Sequence, residues 1–242
     1  MERGEHSWRG KHLTVYVLFS AAGVAQQVWI ESDMGALLVD VGDGTLRDLL
    51  ADNRHLQELV GIVITHGHFD HVGGLHSLLG YMRMIGRQEP LSIIAPSGCA
   101  ELVGIVENFR RCYFDSMPFE ISFRNLDDKD SWEVGPFSVE ARRVMHCGST
   151  AGSKVMAPAP ANGYRISFGG EAVAVTGDTG TEADLEGLVK GADLAVIEAT
   201  FGEADQHSPE ELRRVHLSEE EAHKLGRLAK QYLLVHRIRK RP

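Results

Sequence analysis

Hydrophobic and polar positions along this chain follow two periods, and the switches between them predict the order of elements. Leu13 to Phe19, Val24 to Ile30 (with polar Gln26 and Gln27 among apolar residues) and Ala36 to Asp40 are short β-rich runs that read as an antiparallel meander. Thr45 and Asp48, spaced like a capping box ahead of Leu49 and Leu50, predict a helix, and the apolar run Leu59 to Ile64 predicts a buried strand. Leu75, Leu78, Leu79 and Met82 recur at helical spacing, so Val72 to Ile85 is expected to be helical, followed by a strand from Leu91 to Ala95 and a helix from Ser97 to Phe109. Strands return between Phe119 and Val144 around the polar turn Asp127 to Asp130. The stretch Cys147 to Asn162, rich in Gly, Ser, Ala and Pro, is expected to be a mobile loop. Strands at Gly163 to Phe168, Ala172 to Thr176 and Leu194 to Ile197 alternate with a helix near Ala183 to Val189. Ser218 and Glu221 then form a capping box for a last helix to Lys230, ahead of a strand from Tyr232 to Val235.

Composition narrows the class. The chain has 242 residues, 43% of them hydrophobic, enough for one α/β domain over residues 1–242. Its 25 basic and 34 acidic residues leave a net charge of −9, so bulk attraction cannot supply a nucleic-acid partner and a local basic patch would be needed. Arg237, Arg239, Lys240 and Arg241 form one such run, open to two readings: a solvated tail or a grip on a polyanion. Cys99, Cys112 and Cys147 are odd in number and lack C-x-x-C spacing, which argues against a disulfide framework or thiolate zinc site and for a reducing compartment. Met1 to Lys11 is polar where a signal peptide is apolar, and no apolar run is long enough for a membrane span, so a cytoplasmic location without membrane contact is expected. A faint internal echo, V-D-V-G-D-G-T-L from residue 39 and A-V-T-G-D-T-G-T from residue 174, fits either two similar halves or a chance match of two strand-to-helix turns.

The chemistry concentrates in Thr65-His66-Gly67-His68-Phe69-Asp70-His71, directly after a buried strand and at the start of a helix. Alternating His66 and His68 can point to one side of an extended loop, with Asp70 and His71 following at the turn into the helix. Imidazole and carboxylate together suit zinc, although manganese and iron accept the same donors.

H-x-H-x-D-H after a β-strand resembles the metallo-β-lactamase superfamily, and the resemblance extends over almost the whole chain. It implies a four-layer αββα sandwich with two Zn2+ at the edge of its sheets. His66, His68 and His146 would bind one ion, and Asp70, His71 and His236 the other. Asp178 would bridge the two, and Asp40 would fix the metal loop by hydrogen bonding. His68 stands where the diiron oxygen-reducing branch typically carries Glu, which favours hydrolysis. A finer resemblance, to the ribonuclease Z group, lies in Glu198-Ala199-Thr200-Phe201 followed by His216-Leu217-Ser218 and the last histidine strand. It implies that His216, with Glu198 near it, protonates a leaving oxygen while Asp70 holds the nucleophilic water. The remaining histidines, His6, His12, His55, His76, His207 and His223, read as surface or packing residues.

These implications give a dinuclear zinc phosphodiesterase acting on RNA ends or small nucleotides, a homodimer by family resemblance. Three departures from the ribonuclease Z pattern argue against processing of tRNA precursors but not against phosphodiester chemistry: His146 and Asp178 are too close in sequence to enclose the long tRNA-gripping arm, Ile197 occupies the position of a usual histidine, and Arg-Ile-Arg-Lys-Arg-Pro follows His236 in place of the usual ending. A hydrolase of esters, thioesters or lactams is the alternative, needing the same hydroxide but no acid for the leaving group. A metal-stabilised binding module is a third reading.

Overall fold

The computed structural model describes residues 7–149 and 155–238. One sheet holds, in order, β1 (Ser7–Arg9), β2 (Thr14–Ala21), β3 (Ala25–Ser32), β4 (Gly35–Val39), β5 (Leu59–Val63), β6 (Leu91–Pro96) and β7 (Ile121–Leu126). The strands are antiparallel as far as β4 and parallel from β4 to β7. The remaining strands are β8 (Ser131–Val134), β9 (Phe137–Arg143), β10 (Cys147–Ser149), β11 (Val155–Pro158), β12 (Asn162–Phe168), β13 (Glu171–Val175), β14 (Leu194–Glu198) and β15 (Tyr232–Val235). The second sheet runs β15-β14-β13-β12-β9-β8, while β10 and β11 pair as a separate ribbon.

Two packed sheets follow from the central strands being apolar on both faces. In β4, Leu37 and Val39 point into the core between the sheets while Ala36 and Leu38 point to the outer layer; in β5, Val63 and Ile62 divide in the same way. Val173, Val175, Leu194 and Val196 meet the first sheet from β13 and β14, and Ala174, Ala195 and Ile197 turn outward. The outward faces are covered by helices. On the first sheet these are α1 (Thr45–Ala51), α3 (Leu75–Met84) and α4 (Ala100–Cys112), through Leu49, Leu78, Met82, Val106 and Phe109. On the second they are α5 (Leu185–Val189) and α7 (Glu219–Gly226), through Leu188, Ala222 and Leu225. The layers are therefore α, β, β, α, as the resemblance implies. The short helices α2 (Phe69–Val72) and α6 (Pro209–Arg214) lie in the connections. Among the described residues no helix is long and apolar enough to cross a membrane.

The echo between residues 39 and 174 has a topological counterpart. Across β2-β3-β4-β5-β6 the pairings are antiparallel twice and then parallel twice, and β9-β12-β13-β14-β15 repeats that order.

Several local expectations are corrected. Thr45 and Asp48 form no capping box: Gly44 caps α1 at φ 79°, and the buried Thr45 hydroxyl donates to the Gly42 carbonyl at 2.7 Å. The expected helix from Val72 to Ile85 is two helices broken at Gly73 and Gly74, because the Gly74 N–H leaves the helical ladder to donate to Val41 O at 2.8 Å. The helix expected from Ser97 starts at Ala100, after Gly98 turns at φ 85°. The stretch expected to be a mobile loop contains the β10–β11 ribbon, Cys147 opposite Pro158; its residues 150–154 lie outside the described residues. The Ser218–Glu221 capping box forms as expected, but its helix ends at Gly226, which packs against the Tyr232 ring.

Candidate metal centre

Strand direction assembles the site. β4, β5, β9, β13, β14 and β15 end toward one edge of the sandwich, and the chain just after each supplies Asp40, the His66–His71 loop, His146, Asp178, Thr200 and His236, with Glu198 as the last residue of β14. Such carboxyl ends are where open α/β sheets usually bind ligands. The sheets are stitched at this edge, where Asn162 N–H donates to Thr65 O at 2.9 Å and His66 bridges Ala161. Two non-glycine residues here take left-handed backbone, Asp40 at φ 60° and His236 at φ 56°. Such conformations cost about 1 kcal/mol or more and cluster at functional positions. Gly177, at φ 60°, has a related reason: a Cβ there would fall 2.6 Å from Thr65 Cβ, so only glycine lets the Asp178 turn approach the histidine loop.

The seven expected ligands come together. His66, His68 and His146 place ring nitrogens within 4.8 Å of one another; a carboxylate oxygen of Asp70 lies equally close to ring nitrogens of His71 and His236, and Asp178 joins His66 and His71 in a third group. Asp178 Oδ1 lies 3.4 Å from His71 Nε2 and 3.2 Å from His236 Nδ1, and its Oδ2 lies 4.0 Å from both His66 Nε2 and His146 Nε2. Its carboxylate is thus between both histidine sets.

Outer contacts fix the rings. Asp40 accepts the Thr65 N–H at 2.8 Å and faces His71 Nδ1 at 2.8 Å, turning His71 Nε2 into the cluster. Thr200 Oγ1 donates to the His236 carbonyl at 2.8 Å and lies 3.0 Å from His236 Nδ1, the nitrogen that also faces Asp178, while Thr65 Oγ1 touches His66 Nδ1 at 3.1 Å and His146 Nδ1 meets the Val215 carbonyl at 2.9 Å. Metal-binding histidines are held in this manner, with one nitrogen tied and the other presented. Thr65 directly precedes His66, which is a signal in the sequence; Thr200 has no ligand beside it in sequence, and only the fold brings its hydroxyl to His236.

The cluster fits a cation by its own chemistry. His66 Nε2, His71 Nε2 and Asp178 Oδ1 are buried without hydrogen-bond partners, a costly state unless something positive lies among them. Burial pushes His146 down to about 3 and drives His66 well below its ordinary pKa, helped by the neighbouring histidines; burial also lowers His68. All three then offer neutral imidazole lone pairs. Burial opposes charge on His71, yet Asp178 and Asp40 outweigh it and raise its pKa well above the ordinary value, while burial on Asp178 is overcome by His236 and His71, which hold its carboxyl well below the usual range. The arrangement concentrates acceptor groups around a need for positive charge.

Beside the cluster, Glu198 is buried and accepts from Thr179 N at 3.0 Å, Leu217 N at 3.2 Å and Thr200 N at 2.9 Å. Its Oε1 also faces His216 Nδ1 at 2.9 Å. Burial works against a charged His216, but Glu198 and then Asp178 raise its pKa above the ordinary value. His216 lines a cavity of about 250 Å³ together with His68, Asp70, His146, Asp178 and His236. Phe201 packs edge-on to the His216 ring, centroids 5.2 Å apart, and His207 stacks flat on Phe201 at 3.7 Å. His207 is therefore a packing residue, but one that packs behind the site. Arg237 pairs with Glu219 at 2.8 Å, and Arg239, Lys240 and Arg241 lie outside the described residues.

Comparison with known proteins agrees with this geometry. The model of the "Beta-lactamase superfamily domain" matches residues 37–236. A protein named ribonuclease Z from Metallosphaera sedula is 30% identical over 200 residues, covering 69% of this chain and 67% of that protein. The crystal structure of human tRNase Z, short form, superposes with a TM-score of 0.74 at 22% identity, covering 93% of this chain and 92% of that one. Zn2+-bound PqqB from Methylobacterium extorquens superposes with a TM-score of 0.71 at 19% identity, over 93% of this chain and 89% of that one. The matched span contains Asp40, Glu198, His216 and all seven clustered residues, and the chain belongs to the beta-lactamase superfamily as a metal-dependent hydrolase related to ribonuclease Z.

Proposed function

We propose that the chain is a dinuclear zinc phosphodiesterase acting on nucleotide phosphodiesters, as RNA or as small nucleotides. The carrying observation is the His216–Glu198 pair, 2.9 Å apart and facing the cavity of the histidine–aspartate cluster. His66, His68 and His146 would hold one ion and Asp70, His71 and His236 the other, with Asp178 reaching both. Bound ions there supply Lewis-acid charge for phosphoryl oxygens and hydroxide at neutral pH.

The chain's own residues supply orientation and protons. The Asp70 carboxylate is fixed by the Gly23 N–H at 2.8 Å and faces His236 Nε2 at 3.3 Å, so it is set to accept a hydrogen bond from an attacking water. His216 is tied to Glu198 through Nδ1, which leaves Nε2 to deliver a proton to a departing alkoxide. Thioester hydrolysis, whose thiolate departs without a proton, makes less use of such a donor.

His216 also stands within 4.8 Å of other donor atoms in two groups, with His146 and Asp178 and with Glu198 and His236, so the test must separate acid from ligand. His216→Ala is expected to keep its metal content by elemental analysis. It should lose roughly 10² to 10⁴ in rate on RNA or alkyl diesters and far less on a nitrophenyl diester, whose leaving group needs no proton. Equal losses on both substrates with metal retained would overturn the acid role; loss of metal would make His216 a ligand.

A further inference from the structure

The catalytic motif contains one residue that neither the metal cluster nor the core uses. Phe69 sits between His68 and Asp70 as the first residue of α2. Asp70, His71 and Val72 after it are buried, whereas Phe69 is 66% exposed and lines the same cavity as His216 and the clustered ligands. An aromatic ring left this far in water contributes little to folding, since the stabilisation from an apolar side chain scales with the area it removes from water. Its position is nonetheless fixed. The Phe69 carbonyl accepts from Gly73 N at 2.8 Å, His71 N–H returns to His68 O at 2.9 Å, and Asp70 is held by Gly23. The ring is thus carried on backbone that is anchored to the reacting groups on both sides.

The walls near it are bare. Ala22, Gly23 and Gly148 line the cavity with little or no side chain, and a Cβ on Gly23 would meet nothing within 4 Å. The chain carries a net charge of −9, and among the described residues no Lys or Arg lines this cavity, so the described side chains offer the organic part of a substrate no cationic grip. Among the described residues that line the cavity, Phe69 is the large apolar side chain placed to grip the organic part of a phosphodiester.

We propose that Phe69 is the stacking platform for a nucleobase adjoining the scissile phosphate, and hence a specificity-determining residue. The proposal rests on the phosphodiesterase reading and narrows it to nucleoside esters. Every base offers a π-face, so the selection is for a base over no base and not for one sequence over another.

The test uses metal-loaded wild type with Phe69→Ala, Phe69→Leu and Phe69→Tyr. Two esters that release the same nitrophenolate are compared: thymidine 5′-nitrophenyl phosphate and methyl nitrophenyl phosphate. Phe69→Ala and Phe69→Leu should lose about 5- to 100-fold in kcat/KM on the nucleoside ester, carried by KM, with the methyl ester unchanged; Phe69→Tyr should restore most of it. A parallel calorimetric titration with a nucleoside monophosphate and with ribose 5-phosphate reads the base contribution without turnover. Only the nucleoside monophosphate should bind more weakly to Phe69→Ala. Equal effects on both members of either pair, or no effect, would overturn the proposal, as would a Phe69→Ala protein that turns from dimer to monomer in size-exclusion chromatography. Wild type that cleaves neither ester would sink the phosphodiesterase reading, while the titration still decides the platform. Replacing the nucleoside ester with a short single-stranded RNA separates the sources of the base: a larger Phe69→Ala loss on RNA assigns the platform to a polymer end, a larger loss on the mononucleotide to a free nucleotide.

Discussion

At the scale of single residues, Asp40 shows how much of the site is decided outside the ligand set. One buried carboxylate holds the Thr65 N–H at 2.8 Å, the Thr65 hydroxyl at 2.9 Å and His71 Nδ1 at 2.8 Å, from a left-handed backbone position at the end of β4. Asparagine has nearly the same shape but presents donors where two of those partners also donate. Asp40→Asn should therefore lower metal affinity by about 10- to 100-fold in competition with a chelator. It should also destabilise the protein by about 1.5–3 kcal/mol, the typical worth of a buried hydrogen bond to a charged group. Unchanged affinity and melting would show that Asp40 does not orient His71.

At the scale of elements, the end of the first sheet depends on a carboxylate from the second. Glu171, at the start of β13, accepts the backbone N–H groups of Lys11, His12 and Leu13 at 2.6, 2.7 and 2.9 Å, tying the turn between β1 and β2. Burial tends to raise its pKa, but the three N–H groups prevail and lower it. A lowered folded-state pKa means stabilisation that is fully present above the unfolded value of about 4.3 and disappears as pH falls through the folded value. Glu171→Gln should thus cost about 1 kcal/mol at pH 7, a modest figure because the group is only partly buried and is screened by solvent. The gap from wild type in denaturant titrations should stay constant down to about pH 5 and close below it. A gap that widens on acidification would reverse the sign of this account.

At the scale of the whole molecule, the clustered side chains come from both sheets. His66, His68, Asp70 and His71 follow β5 in the first, while His146, Asp178 and His236 follow β9, β13 and β15 in the second. A cation bound among them would join the layers and favour the folded state by mass action. An ion at about 1,000 times its Kd adds about 4 kcal/mol, which for a chain of this length corresponds to about 8–16 °C in Tm. Calorimetric scans with zinc and with chelator should differ by an amount of this order, and elemental analysis should give two metals per chain. Identical scans, with only trace metal, would remove the metal centre.

What the sequence determined by itself was local and periodic. The strands with apolar residues on both faces, the Ser218–Glu221 cap and the compact His66–His71 motif are each written within a few consecutive residues, where side-chain period and backbone preference act directly. With the family pattern, the sequence also carried His146, Asp178, His216 and His236 as candidates, though nothing local in a lone histidine marks it as part of a cluster. Other features were settled only by tertiary structure. The break between α2 and α3 exists because Gly74 N–H is drawn to Val41 O, and β10 becomes a strand because Cys147 is set opposite Pro158 of β11. Thr65, Thr200 and Phe201 gain their places from strands that are distant in sequence but end at the same edge. Phe69 is the reverse case: its period and motif gave no reason to expect exposure, and only the packed fold, with its neighbours Asp70 and His71 turned inward, leaves that ring at the mouth of the cavity.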